Sequence, residues 1–306
     1  MKIKILSYNF AMLPGFVGKE KKERVGLLAA QIIHQNPPYD VICLLEIFDE
    51  EIRRYLVDHF GKEYPYILAK CDRDILNQDS GMFLASRHRI IDHSYEEFDA
   101  KEYFSTDGLA DKGILNACIE LNADNQQRQI LHVYLTHLQA TGIFPPSHYG
   151  PIREKQLTQI RTFMEKRLQK GCQTHDPANL SAILLGDFNI EDNSDEYHHM
   201  MGILGSPIDL FPSLNPGKDG NTWNTKTNRF VTVRAGSDPD IQRLDYIFTF
   251  DTIPGVSGKV SGAKMACPVY QSCDLFTPLA SAAVGDLSQG CDLSDHYGVE
   301  AVFELL

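Results

Sequence analysis

Short apolar runs that each stop on a polar side chain recur along the chain. The first, Ile3-Lys4-Ile5-Leu6-Ser7-Tyr8-Asn9, predicts a strand that presents Asn9 at its carboxyl end. Val25, Leu28, Ala29, Ile32 and Ile33 then recur at helical spacing, so a helix is expected over about residues 21–35, stopped by Asn36-Pro37-Pro38. Asp40-Val41-Ile42-Cys43-Leu44-Leu45-Glu46 predicts a buried strand ending on Glu46. Further strands are expected at residues 66–69, 80–86, 113–121 and 129–136, the last running into His137. A long helix over residues 153–170 precedes the apolar run from Ala182 to Leu185, which breaks at Gly186 and delivers Asp187 and Asn189. In extended backbone, side chains two residues apart point the same way, so Asp187 and Asn189 are expected to share a face; an Asx-turn is the competing description.

Beyond this point the periodicity weakens. Residues 191–230 are rich in Asn, Asp, Gly and Pro and read as surface loops around short elements. A strand is expected over residues 244–248, and residues 255–292 read as long loops or an excursion on the rim. The chain closes with Ser294-Asp295-His296 and a strand over residues 298–303. No repeat or compositional break marks a linker, so residues 1–306 are expected to form a single domain. Many strands with few helices between them predict layered sheets, packed face to face with helices outside.

Composition narrows the function. The 306 residues are 43% hydrophobic and 23% charged, enough for a sizeable core, and the net charge is -12. That charge repels phosphodiester backbones at long range and makes nucleic acid a less favoured partner. No apolar run is long enough to span a bilayer. Lys2 and Lys4 are followed by only a short apolar run without a small-residue cleavage site, so no signal peptide is expected. A cytoplasmic protein, or one exported by a leaderless route, is the corresponding expectation. The seven cysteines contain no CxxC pair; Cys43 and Cys118 read as core thiols, and Cys267, Cys273 and Cys291 fall close enough in sequence for a bridge in an oxidising compartment. Nothing in the pattern fixes an oligomeric state.

The polar strand ends are Asn9, Glu46, His137, Asp187, Asn189 and Asp295-His296. An ionised Glu directly after a fully apolar run is costly unless paired or bound to a cation. Glu46 can otherwise open a helix with Asp49, Glu50 and Glu51, where acids are favoured. Oxygen ligands from Glu46, Asn9 and Asp295 or Asp187 suit a hard cation such as Mg²⁺. Two imidazoles beside it supply acid, base or phosphate-stabilising groups near neutral pH. The set suits metal-assisted attack of water on a phosphoester.

An early Asn9, Glu46 after an apolar strand, His137, the element Gly186-Asp187-Phe188-Asn189 and the terminal Ser294-Asp295-His296 resemble, in this order, the signature of the endonuclease/exonuclease/phosphatase superfamily. The resemblance implies a four-layered α/β sandwich and a Mg²⁺-dependent phosphoesterase, with Mn²⁺ or Co²⁺ as substitute ions. It implies metal ligation by Glu46, assisted by Asn9, with Asp295 as a route to a second metal. Asn189 and His137 would hold the phosphate. His296 would be the general base, oriented by Asp245 in Arg243-Leu244-Asp245-Tyr246, with Asp187 as the rival base. Thr136-His137-Leu138-Gln139-Ala140, Arg153-x-x-Gln156, Lys112-Gly113-Ile114-Leu115 and Asn221-Thr222-Trp223-Asn224 resemble the neutral sphingomyelinase branch. So does the spacing of Asp107 and Lys112, whose Lys would approach the phosphate; a solvated salt bridge is the competing reading. This branch implies hydrolysis of sphingomyelin at a membrane surface. The alternative is a nuclease or a phosphatase of small phosphoesters or inositol phosphates.

Trp223 reads as packing beneath the site, His198-His199 as surface, and the run from Lys19 to Arg24 as a solvated helix start. A lipid substrate calls for apolar residues near the cleft. Ile143, Phe144, Pro145, Pro146 and Tyr149 offer one candidate, and Val269-Tyr270, Leu275-Phe276 and Leu279 another; either can instead fold into the core.

Overall fold

The computed structural model describes residues 1–13, 20–70, 79–103, 110–122, 128–231, 240–252, 269–276 and 292–304. Its first sheet is built on β1 (Lys2–Met12) and β2 (Val41–Ile47), parallel neighbours connected through α1 (Lys21–Ile33). β3 (Tyr66–Leu68), β4 (Phe83–Ser86), β13 (Val269–Phe276) and β14 (Gly298–Glu304) complete six strands in the order β13-β14-β1-β2-β4-β3. The second sheet repeats the plan. Its parallel centre is β7 (Arg128–His137) and β8 (Leu180–Asp187), connected through α3 (Pro146–Thr174). With β5 (Arg89–Glu97), β6 (Gly113–Asn122), β9 (Ile208–Asp209) and β12 (Asp245–Thr249), its order is β5-β6-β7-β8-β12-β9. A separate ribbon pairs β10 (Trp223–Asn224) with β11 (Ile241–Gln242).

Strand alternation separates three cores. Ile3 and Ile5 of β1, Cys43 and Leu45 of β2, Leu131, Val133 and Leu135 of β7, and Ile183 and Leu185 of β8 interlock between the sheets. The opposite face of the first sheet, with Leu6, Tyr8, Phe10, Ile42 and Leu44, packs on α1 and α2 (Glu50–Phe60). The opposite face of the second, with Tyr134, Leu184 and Phe248, packs on α3 and α4 (Asp195–Ile203). This is the expected helix–sheet–sheet–helix sandwich.

Several elements depart from the sequence reading. α3 starts at Pro146 rather than near residue 153: Pro151 reads as a breaker, yet the helix carries it in its second turn without the bond its missing N–H would have made to Ser147. β5 was not foreseen: both its faces are partly exposed, so no alternation marks it. β13 lies in a stretch read as loop, yet Cys273 is a buried free thiol and Phe276 packs edge-on to Tyr8 and Tyr39 at 5.8 and 6.1 Å. The second candidate membrane stretch therefore gives Phe276 to the core, while Leu279, like Cys267 and Cys291, lies outside the described residues. Arg24 is not a solvated helix residue. It is fully buried and donates to the carbonyls of Phe10, Ala11 and Leu293 at 3.2, 2.7 and 2.7 Å. Among the described residues no helix is long and apolar enough to cross a membrane.

Candidate active site

Asn9, His137, Asp187 and Asp245 continue, at the same parity, the rows of side chains that form the inter-sheet core. The site is the end of that core, where its apolar layers give way to polar ones. In the second sheet His137 lies opposite Asp187 and Asp187 opposite Asp245, so one register line across three strands carries three functional groups. Parallel β1 and β2 bring Asn9 and Glu46 to the same end, and antiparallel β14 delivers His296 there just before its first residue. Two backbone devices complete the arrangement. Gly186 has φ 137°, and a Cβ there would lie 1.9 Å from the Thr136 carbonyl oxygen, so only glycine lets β7 and β8 approach. Alternation on β2 would aim Glu46 at the helices; its left-handed φ of 59° redirects it to the cleft, a conformation costing roughly 1–2 kcal/mol.

The side chains form one connected network. Asn9 Nδ2 donates to Glu46 Oε1 at 3.0 Å and to Asp187 Oδ2 at 3.2 Å, while its Oδ1 accepts from the Ala11 N–H at 3.1 Å. The amide thus turns its nitrogen to the carboxylates, and direct metal ligation by Asn9 would require it to turn over. Asp187 Oδ1 accepts from the Asn189 N–H at 2.9 Å, an Asx-turn with Asn189 at φ 52°. The two residues share the cleft through that turn and not through strand alternation. Asn189 Nδ2 donates to the Leu138 carbonyl at 3.1 Å. His137 Nε2 lies 3.6 Å from Asp187 Oδ2 and 4.0 Å from Glu46 Oε1. Lys112 Nζ lies 3.0 Å from that same Nε2 of His137 and 3.0 Å from the Leu138 carbonyl, and is not part of the cleft wall; Asp107 lies outside the described residues. His296 Nδ1 is 2.8 Å from Asp245 Oδ2, and its Nε2 is 3.7 Å from Asp187 Oδ2.

Burial sets the electrostatics. Desolvation, then repulsion from Asp295, pushes Glu46 up to about 7. Desolvation, then Asp245, pushes Asp187 up to about 6. Burial disfavours the charged form of His296, but Asp245 and Asp187 outweigh it and hold its pKa well above the usual histidine range. Carboxylates crowded enough to retain protons near neutrality are a donor set that a divalent cation would relieve, and Glu46, Asp187 and Asp295 all face the cleft. Ligand atoms of Asp187, Asp245 and His296 also lie within 4.8 Å of one another. That trio suits a cation less well, since the Nδ1 of His296 already bonds to Asp245.

The cleft holds about 570 Å³, and much of its wall was not singled out from sequence. Arg153, known only as part of a motif, is 2% exposed and grips Glu196 with Nε and Nη2 at 2.7 and 2.8 Å. Its Nη1 donates to the Gln139 carbonyl and to Thr141 Oγ1 at 3.1 and 3.2 Å, fixing the loop after His137. Glu191, Glu196, Asp240 and Gln242 have no apolar run to announce them. Trp223 is half-buried in this wall, its ring edge-on to His296 at 5.2 Å and its Nε1 donating to Asp240 Oδ2 at 3.1 Å. His198 and His199 are exposed on α4.

Known proteins resemble this chain in sequence or in fold. Sphingomyelinase C of Leptospira interrogans is 27% identical over 321 residues, 98% of this chain and 51% of that protein. The chain thus spans about half the length of this relative. Human sphingomyelin phosphodiesterase 3 is 28% identical over 192 residues, 56% of this chain and 28% of that protein. A variant beta toxin of Staphylococcus aureus, solved with bound magnesium ions, superposes with a TM-score of 0.76 at 20% identity, covering 99% of this chain and 100% of that one, a likeness of fold. The sequence profile of the Endonuclease/Exonuclease/phosphatase family matches residues 6–296, and the chain belongs to that family.

Proposed function

We propose that this chain is a Mg²⁺-dependent phosphodiesterase of the phospholipase C type, hydrolysing sphingomyelin to ceramide and phosphocholine. The observation that carries the lipid reading is the charge of the cleft. Glu46, Asp187, Glu191, Glu196, Asp240 and Asp295 line it, against a single arginine among the described residues, Arg153, already held by Glu196. A polyanionic strand needs cations along its backbone. One phosphodiester with a quaternary ammonium end suits an acidic wall carrying an indole, here Asp240 and Trp223. The similarity to Leptospira interrogans sphingomyelinase C supports the same substrate class.

In this reading Glu46 and Asp295 hold the metal, and Asn9 orients Glu46 and Asp187 through its amide nitrogen. Bound there, Mg²⁺ would draw charge from the phosphoryl oxygens and acidify nearby water. Asn189 and His137 bind the scissile phosphate, and Lys112 holds His137 at Nε2. His296 in its neutral form directs Nδ1–H to Asp245 and leaves Nε2 to take a proton from the attacking water. The new oxygen–phosphorus bond forms as the bond to the ceramide oxygen breaks, and that oxygen takes up a proton on leaving. Asp187 is the weaker candidate base, because one of its oxygens accepts from Asn189 and the other from Asn9. The test is a side-by-side panel. Phosphocholine release from sphingomyelin vesicles, with plasmid DNA and inositol phosphates intact, is expected. Plasmid or inositol phosphate hydrolysis with vesicles untouched would favour the nuclease or small-phosphatase alternative.

Contact with the bilayer is assigned to the loop after the cleft residues Ala140 and Thr141. Ile143 is 86% exposed there and Phe144 38%, while Tyr149 is buried beneath them. Burying an aliphatic or aromatic side chain is worth roughly 1.5–3 kcal/mol. Changing Ile143 and Phe144 together to serine should therefore weaken sedimentation with sphingomyelin vesicles by on the order of 10–100-fold. Hydrolysis of a water-soluble phosphocholine ester should stay within about twofold. Unchanged vesicle binding would assign the contact elsewhere.

A further inference from the structure

The Asp245–His296 pair is assembled across the two sheets. Asp245 is the first residue of β12 in the second sheet, and His296 precedes β14 in the first. Nothing in either sheet's own ladder fixes the distance between them. One segment touches both. Thr222, fully buried, accepts with Oγ1 from the Leu244 N–H at 3.1 Å and the Asp245 N–H at 3.2 Å. Its own carbonyl accepts from the Tyr297 N–H at 2.8 Å. The next residue, Trp223, forms an isolated antiparallel bridge with His296. Asn228 reinforces the far side, its amide donating to the carbonyls of Ser294 and Asp295 at 2.9 and 3.1 Å.

The carboxylate of Asp245 depends on this support. Its Oδ2 accepts from His296, while its Oδ1 is buried and without a hydrogen-bond partner among the described residues. A carboxylate held through one oxygen takes its position from its backbone, and that backbone is tied to Thr222. We infer that Thr222 is a positioning residue, whose hydroxyl and carbonyl together set the spacing between Asp245 and His296 across the sandwich. The inference rests on the reading of His296 as the base. It assigns the hydroxyl a task that valine, equal in shape, cannot perform and that serine can.

The experiment uses the full chain with Mg²⁺ and sphingomyelin vesicles. Thr222→Val is expected to lower kcat by on the order of 10–100-fold, since small displacements of a catalytic group cost that much, with KM within about threefold. Thr222→Ser should recover kcat to within about threefold of the parent. Should Thr222→Val fail to fold by circular dichroism, Thr222→Ala replaces it against the same serine reference. A double-mutant cycle with Asp245→Asn separates positioning from general destabilisation. If Thr222 acts through Asp245, adding Thr222→Val to Asp245→Asn costs little more. Full kcat in folded Thr222→Val, or losses that multiply in the double variant, would overturn the inference. A second readout needs no turnover. In metal-free protein the downfield Nδ1 proton of His296, identified by its disappearance in His296→Asn, should persist in Thr222→Ser and be lost in Thr222→Val. A parent inactive on every phosphodiester would sink the functional reading and leave this arm standing; the resonance persisting in Thr222→Val would sink the positioning role.

Discussion

His296→Ala is expected to reduce kcat for sphingomyelin hydrolysis by on the order of 10³–10⁴-fold with the fold retained, the effect of removing an oriented general base. The size follows from geometry. His296 is hydrogen-bonded through Nδ1 to a buried carboxylate, Asp245, at 2.8 Å, with its other nitrogen turned to the Asp187 side. Asp187 has both oxygens engaged by Asn189 and Asn9, so it is a poor substitute acceptor. Steady-state kinetics on vesicles check this, with circular dichroism confirming the fold. A loss of less than about tenfold would pass the base to Asp187, and Asp187→Asn would then show the larger effect.

Glu46→Gln keeps the shape and removes the charge. It is expected to lower activity by at least about 100-fold at low millimolar Mg²⁺ and to weaken Mg²⁺ binding in calorimetry. The proton and the cation compete for this carboxylate. Burial and Asp295 push metal-free Glu46 up to about 7, so below that pH the protonated form dominates and the cation must displace a proton. The Mg²⁺ concentration for half-maximal activity should therefore rise as pH falls from about 8 to about 6 in the parent, and this dependence should flatten in Glu46→Gln. Equal Mg²⁺ affinity in both proteins would move the metal to other carboxylates.

The central strands were legible because each is an apolar run buried on both faces. Asn9, His137 and Asp187 were legible for a related reason: each takes the next inward position after such a run, where only a functional demand justifies a polar group; Asp245 opens its strand and was marked only by the family resemblance. Glu46 was found by the same rule, although parity alone would have aimed it at the helices. Its left-handed backbone depends on the finished fold and leaves no mark in the sequence. The Asx-turn at Asn189 likewise replaced simple alternation. Elements outside the central strands gave weaker signals. Pro151 concealed the first turns of α3, and β5 carries no one-sided pattern because both of its faces are partly exposed. The rim of the cleft was least legible. Arg153 meets Glu196 across 43 residues of chain, and Trp223, in a two-residue strand too short to predict, meets His296 through an isolated bridge. Such pairs are products of tertiary packing, and local periodicity carries no trace of them.

The most direct measurement is phosphocholine release from sphingomyelin vesicles by metal-stripped protein as Mg²⁺ is added back. The account predicts no release in chelator, saturable release with Mg²⁺, ceramide formed in equal amount, and neither product from Glu46→Gln or His296→Ala. Release unaffected by chelator, or none at any Mg²⁺ concentration from folded protein, would contradict it.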